Sequence, residues 1–155
     1  MSTKSNIVLL LAVCILSVPA FVSAQEDPID EWLRNAVEES EKNSGTAISG
    51  RHIAPYVEAQ RLWDIELNKV YKKLMSVLPD MEKQTLKTEQ RKWLQYRDHR
   101  FSEIWKEQFS YYGEGNAAVQ VTEYKKSNFI KERVLQLRDM LLNAQRPNQS
   151  FERTR

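Results

Sequence analysis

Two stretches on either side of Pro79-Asp80 constrain this chain more than any other feature. The first is Trp63-Asp64-Ile65-Glu66-Leu67-Asn68-Lys69-Val70-Tyr71-Lys72-Lys73-Leu74, and the second is Gln90-Arg91-Lys92-Trp93-Leu94-Gln95-Tyr96-Arg97-Asp98. Each has apolar residues at helical spacing, and each also carries polar residues on or beside that apolar stripe. Leu86, Trp93, Phe101 and Ile104 define the inward face of the second segment, and Gln90 and Arg97 fall in register with them. Asp64 and Asn68 lie next to Trp63, Leu67 and Tyr71 on the first. A polar group that faces a core has to be paired, because leaving one buried and unsatisfied costs roughly 1–3 kcal/mol. The pattern therefore specifies a helical hairpin with polar groups at its seam.

The rest of the chain extends this reading to an all-α domain of about four helices around a central antiparallel helical hairpin. Asp27 suits an N-cap and Pro28 a first helical position, and Ile29, Trp32, Leu33, Ala36 and Val37 repeat at i, i+3, i+4, i+7, i+8 up to about Lys42. Ser44-Gly45, Thr46 and Ser49-Gly50 mark a loop over 43–51. Pro55 opens a second helix whose inner face is Tyr56, Ala59, Trp63, Leu67, Val70, Leu74 and Val77. A third helix is expected from Met81 to Phe109, a loop over Tyr111–Asn116, and a fourth helix from Ala117 to Asn143. Residues 144–155 form a polar tail. Trp63 and Trp93 read as core residues, and Trp105 stands near the expected loop.

An antiparallel hairpin with a tight turn sets opposite each other residues whose numbers add to about 158. Asn68 then faces Gln90, and Asp64 comes within reach of Arg97, whose planar fork suits a carboxylate. Asp64, Asn68, Gln90 and Arg97 thus form a candidate polar network. It reads either as a register-fixing structural device or as a ligand site, and the first is favoured because no nucleophile or metal set lies nearby.

Residues 1–24 have the organisation of a secretory signal peptide. Lys4 supplies the positive start, Ile7 to Val22 the apolar centre, and Val22-Ser23-Ala24 the small residues ahead of a cut before Gln25. The apolar stretch is shorter than the roughly 20 residues a membrane span needs. Large Val13 ahead of Cys14 argues against a lipoprotein. Cleavage removes one of the 23 Lys and Arg, none of the 21 Asp and Glu, and the single cysteine. The expected product is a periplasmic or secreted, cysteine-free domain, 25–143, without stable membrane insertion after cleavage. Its near-balanced charge argues against a nucleic-acid partner.

Chemistry for catalysis is sparse, and no cofactor is expected. Adjacent helical residues such as Asp98 and His99 diverge by about 100° and do not make a triad. His52 and His99 read as surface residues, no cluster of ligands suggests zinc, and scattered carboxylates such as Asp64 and Glu66 define no hydrolytic pair. The expected binding surface is instead Tyr111, Tyr112 and Glu114, in a segment with two glycines. Tyrosine offers contact area at low entropic cost. The plain alternative is a helix connection whose aromatics cap the core.

The runs Asp27-Pro28-Ile29-Asp30, Trp63-Asp64-x-Glu66-Leu67-Asn68-x-x-Tyr71 and Gln90-x-x-Trp93-x-x-Tyr96-Arg97-Asp98 resemble the lysozyme-inhibitor LprI-like family of small secreted bacterial proteins. Lys131-x-Arg133 and Leu137 resemble its last helix. Many members carry cysteines in this region, and this mature chain has none. The resemblance implies a secreted, non-enzymatic binding protein that inhibits a lysozyme-like muramidase. The alternatives are a structural or chaperone-like cell-envelope protein without an enzyme target, whose partner is another envelope protein, and a hydrolase with an unrecognised site.

Overall fold

The computed structural model describes residues 26–44 and 53–146. Residues 1–25, with the expected signal peptide and Cys14, residues 45–52, with His52 and most of the loop expected over 43–51, and residues 147–155 of the expected tail lie outside them, while residues 43 and 44 belong to α1. Four α-helices account for nearly all of the described residues: α1 Pro28–Ser44, α2 Ala54–Val77, α3 Asp80–Tyr112 and α4 Asn116–Gln145. The all-α expectation holds, with no strand among the described residues.

Local signals explain where the helices start and stop. The Asp27 carboxylate accepts a hydrogen bond from the Ile29 amide at 3.0 Å, which caps α1 ahead of Pro28. Pro55 lies in the first turn of α2, where its missing N–H costs nothing. Leu78 and Pro79 are extended, so α2 and α3 are joined by a two-residue break. α3 then continues through Phe109 to Tyr112, three residues beyond its expected end. It stops at Gly113, whose φ of 72° is readily adopted only without a side chain. The second loop is thus Gly113–Gly115 alone, and Tyr111 and Tyr112 belong to a helix.

The core lies chiefly between α2 and α4. Ala59, Trp63, Leu67, Val70, Leu74 and Leu78 meet Ile130, Val134 and Leu137, with Leu86 the fully buried contribution of α3. Each large side chain buried this way stabilises the fold by roughly 1.5–3 kcal/mol. Leu78 takes the buried place expected of Val77, which is exposed, because the helix ends there and the chain turns. Ala59, Ala118, Thr122 and Ser127 are also buried. Such short side chains let helix backbones approach closely. The hydroxyls of Thr122 and Ser127 find no partner among the described residues.

α4 therefore organises the bundle. It packs most extensively on α2, next on α3, while α1 packs on α2. Contacts of Gln60 with Glu123 and of Glu66 with Arg138 show that α2 and α4 run parallel. Gln90 with Arg133 and Phe101 with Lys126 show that α3 runs antiparallel to α4. The two arms of the α2–α3 hairpin are held together largely through α4. Phe129 of α4 fills the α3 side of that join. It stacks on Trp93 at 5.8 Å, meets Phe101 edge-on at 6.0 Å, and lies 5.7 Å from Tyr96.

Candidate functional site

Two surfaces carry the residues singled out from the sequence. The first is the tip where α3 turns into α4. Ser110 to Ala117 is an unbroken exposed run. Tyr111 is 80% exposed and Tyr112 49%, and their rings meet edge-on at 4.7 Å. The Gly113 amide closes the helix onto the Phe109 carbonyl at 3.0 Å, so the tyrosines stand on a completed turn of helix. Glu114 follows, immediately ahead of α4, where the helix dipole favours negative charge. It makes no ion pair with the described residues. One turn below, Trp105 stacks on Phe109 at 4.0 Å and is half-exposed.

Other acids near the tip are already engaged. Arg100 pairs with Glu107 at 2.7 Å and with Glu103 at 3.3 Å. The hydrogen bond to Arg100 holds the Glu107 carboxyl below its usual range. His99 is an exposed residue 3.2 Å from Glu103. Glu114 is thus the carboxylate that the tip can offer to a partner. Tyr111, Tyr112 and Glu114 are brought together by sequence proximity and by the turn itself.

The second surface is a cleft of about 260 Å³ between the middles of α2 and α3. Asp64, Asn68, Gln90 and Arg97 all line it, so the structure brings the four polar residues to one place. They do not form one continuous network. Arg97 Nη1 lies 3.7 Å from Asp64 Oδ1, while its Nε and Nη2 donate to Asp98 at 3.0 and 2.8 Å. Asn68 donates to the Asp64 carbonyl of its own helix at 2.8 Å. Gln90 is turned toward α4, where its Oε1 accepts from Arg133 Nε at 3.1 Å. Burial pushes the Asp64 carboxyl above its ordinary range, and the Arg97 charge only partly offsets this. Arg97 also lies over the Trp93 and Phe101 rings, at 5.8 and 5.9 Å.

A third polar cluster was missed in the sequence. Arg138 of α4 pairs with Asp27 and, at 2.8 Å, with Glu66, while Lys131 pairs with Asp30 at 2.6 Å. Both cations lie 5.9 Å from the buried Trp63 ring. This cluster fastens α1 to α2 and α4. Its partners are more than sixty residues apart in the chain, and although Asp27, Asp30, Glu66 and Lys131 all stand in the motif runs, no local spacing pairs them.

Among the described residues no group of three or more His, Cys, Asp or Glu is placed to hold a metal ion. No described helix is long and apolar enough to cross a membrane. The molecule is a small helical bundle with an exposed aromatic and acidic tip and a separate polar cleft. Its chain belongs to the lysozyme inhibitor LprI family, whose profile matches residues 39–137. That span holds the Trp63–Tyr71 and Gln90–Asp98 motifs and ends at Leu137, whereas the Asp27–Asp30 run lies ahead of it. The family is one of inhibitors rather than enzymes. No curated protein and no solved structure matches the chain.

Proposed function

We propose that this is a secreted inhibitor that binds a lysozyme-like muramidase through the α3–α4 tip. Membership of the lysozyme inhibitor family supplies the class of target. The observation that carries the choice of surface is the tip itself: two exposed tyrosines beside a carboxylate with no ion pair among the described residues. Common lysozymes are strongly basic, so an inhibitor gains association rate from a local acidic group even when its overall charge is small. Tyrosines anchored at the end of a helix lose little freedom on binding, and such residues commonly dominate interface energies.

The site of action in this reading is outside the cytoplasm, with the mature chain starting at Gln25. Intact-mass analysis of exported protein tests that start. The tip is tested by comparing wild type with Tyr112→Ala and Glu114→Lys in lysis of a peptidoglycan substrate by several lysozyme classes. Both variants should retain their circular dichroism and lose most of the inhibition. Inhibition unchanged in both would move the binding surface away from the tip.

A further inference from the structure

The α2–α3 cleft contains more positive charge than its internal pairing uses. Lys87, Arg91 and Arg97 line it against one acid, Asp64. Arg97 is engaged with Asp98 and Asp64, whereas Lys87 and Arg91 have no ion-pair partner among the described residues. Gln90 also lines the cleft, with its Oε1 accepting from Arg133 and its amide N–H groups without a hydrogen bond to the described residues. Asn68, whose amide already donates to the Asp64 carbonyl, and Tyr71 add polar groups on the α2 side, and Leu67 and Leu94 supply an apolar lining. The cleft thus presents side-chain donors and cations to a space large enough for one amino-acid residue.

The nature of the anion follows from where the cleft sits. It lies at the middles of α2 and α3, where backbone amides are consumed by the helices. Phosphate sites typically draw on free amides at helix starts or in loops. Here every donor is a side chain, and the guanidinium of Arg91 matches a planar carboxylate bidentately. Asp64 would repel a dianion more than a singly charged carboxylate. We propose that this cleft is a carboxylate-binding site that takes one acidic residue of a peptide, either a chain terminus or a side chain. It lies about 20 residues along α3 from the tip, roughly 30 Å, so it is independent of the proposed inhibitory surface.

The test is a titration of the isotopically labelled mature protein, followed by nuclear magnetic resonance at constant ionic strength. The probes are N-acetylalanine for a terminal carboxylate, N-acetylglutamic acid α-amide for a side-chain carboxylate, and inorganic phosphate. At least one carboxylate probe should give saturable shifts confined to Asp64–Tyr71 and Lys87–Arg97, and whichever binds more tightly identifies the source. Arg91→Gln should weaken that binding about tenfold, the loss expected of one charge-assisted contact. Asp64→Asn should tighten it by removing the opposing charge and releasing Arg97 Nη1, while Nε and Nη2 stay on Asp98. Lys72→Gln, the same charge change on an exposed part of α2, should leave it unaltered. Shifts spread over all basic residues, equal losses in Arg91→Gln and Lys72→Gln, or a preference for phosphate would overturn the assignment. A failure of lysozyme inhibition would leave these outcomes untouched.

Discussion

Arg138 Nη2 lies 2.8 Å from Glu66 Oε1, linking the parallel helices α4 and α2 across 72 residues of sequence. The same guanidinium reaches Asp27 ahead of α1. Burial alone would lower the Arg138 pKa, but the hydrogen bonds with Asp27 and Glu66 together turn the net shift upward. Both carboxylates are largely shielded from solvent. Removing the cation leaves two partly buried acids facing each other. Arg138→Met, which keeps the aliphatic stem over Trp63, should therefore destabilise the fold by about 2–3 kcal/mol. Urea unfolding measures this, and a loss below about 0.5 kcal/mol would mean the cluster is dispensable.

Arg97 is expected to matter less than a fully buried ion pair. Its two acidic partners, Asp64 and Asp98, are substantially solvent-exposed, so their charge interactions are screened. Its packing over Trp93 and Phe101 remains. Arg97→Ala should cost about 1–2 kcal/mol, mostly through lost ring contact. Lys72→Ala, on an exposed part of α2, should cost under about 0.5 kcal/mol. Equal unfolding midpoints for the two variants would contradict the packing role.

The raised Asp64 pKa gives a pH signature with a definite sign. A carboxyl whose pKa rises on folding holds its proton more tightly in the folded chain, so its ionisation opposes folding. The penalty is complete above the raised value and is relieved as pH falls through it. The stability of wild type relative to Asp64→Asn should therefore decline as pH rises from the ordinary carboxylate range through the raised pKa. Paired urea titrations across the acid range measure this difference. A difference that grows with pH would show that Arg97 outweighs burial.

How far the sequence revealed this molecule differs between its levels. Helix existence was legible because caps, Pro55 and the apolar repeats of α2 and α3 agree with one another. The pairing of helices was less so. Adjacent helices joined by a short break suggest a tight hairpin, yet the closest partner of α2 is α4. Periodicity marks which face is buried but does not identify what covers it. Small buried residues such as Ala59 and Ala118 signal close approach only once both helices are placed.

The candidate sites follow the same division. The Asp64–Arg97 contact could be read from hairpin register, since two facing helices fix which residues meet. Gln90 faces the cleft as that register requires, but its bond goes to Arg133, and no local pattern encodes a partner on a third helix. The glycines after Tyr111 and Tyr112 suggest a loop over both tyrosines. Gly113 instead ends the helix after them, which leaves them exposed but ordered by backbone hydrogen bonding.

The most direct test of the account is inhibition itself. Purified mature protein, beginning at Gln25, would be titrated into turbidity assays of peptidoglycan lysis by muramidases of several lysozyme classes. Lysis by at least one class should slow in a saturable manner as the protein approaches stoichiometric excess. Full muramidase activity in every class at high micromolar protein would contradict the proposed inhibition.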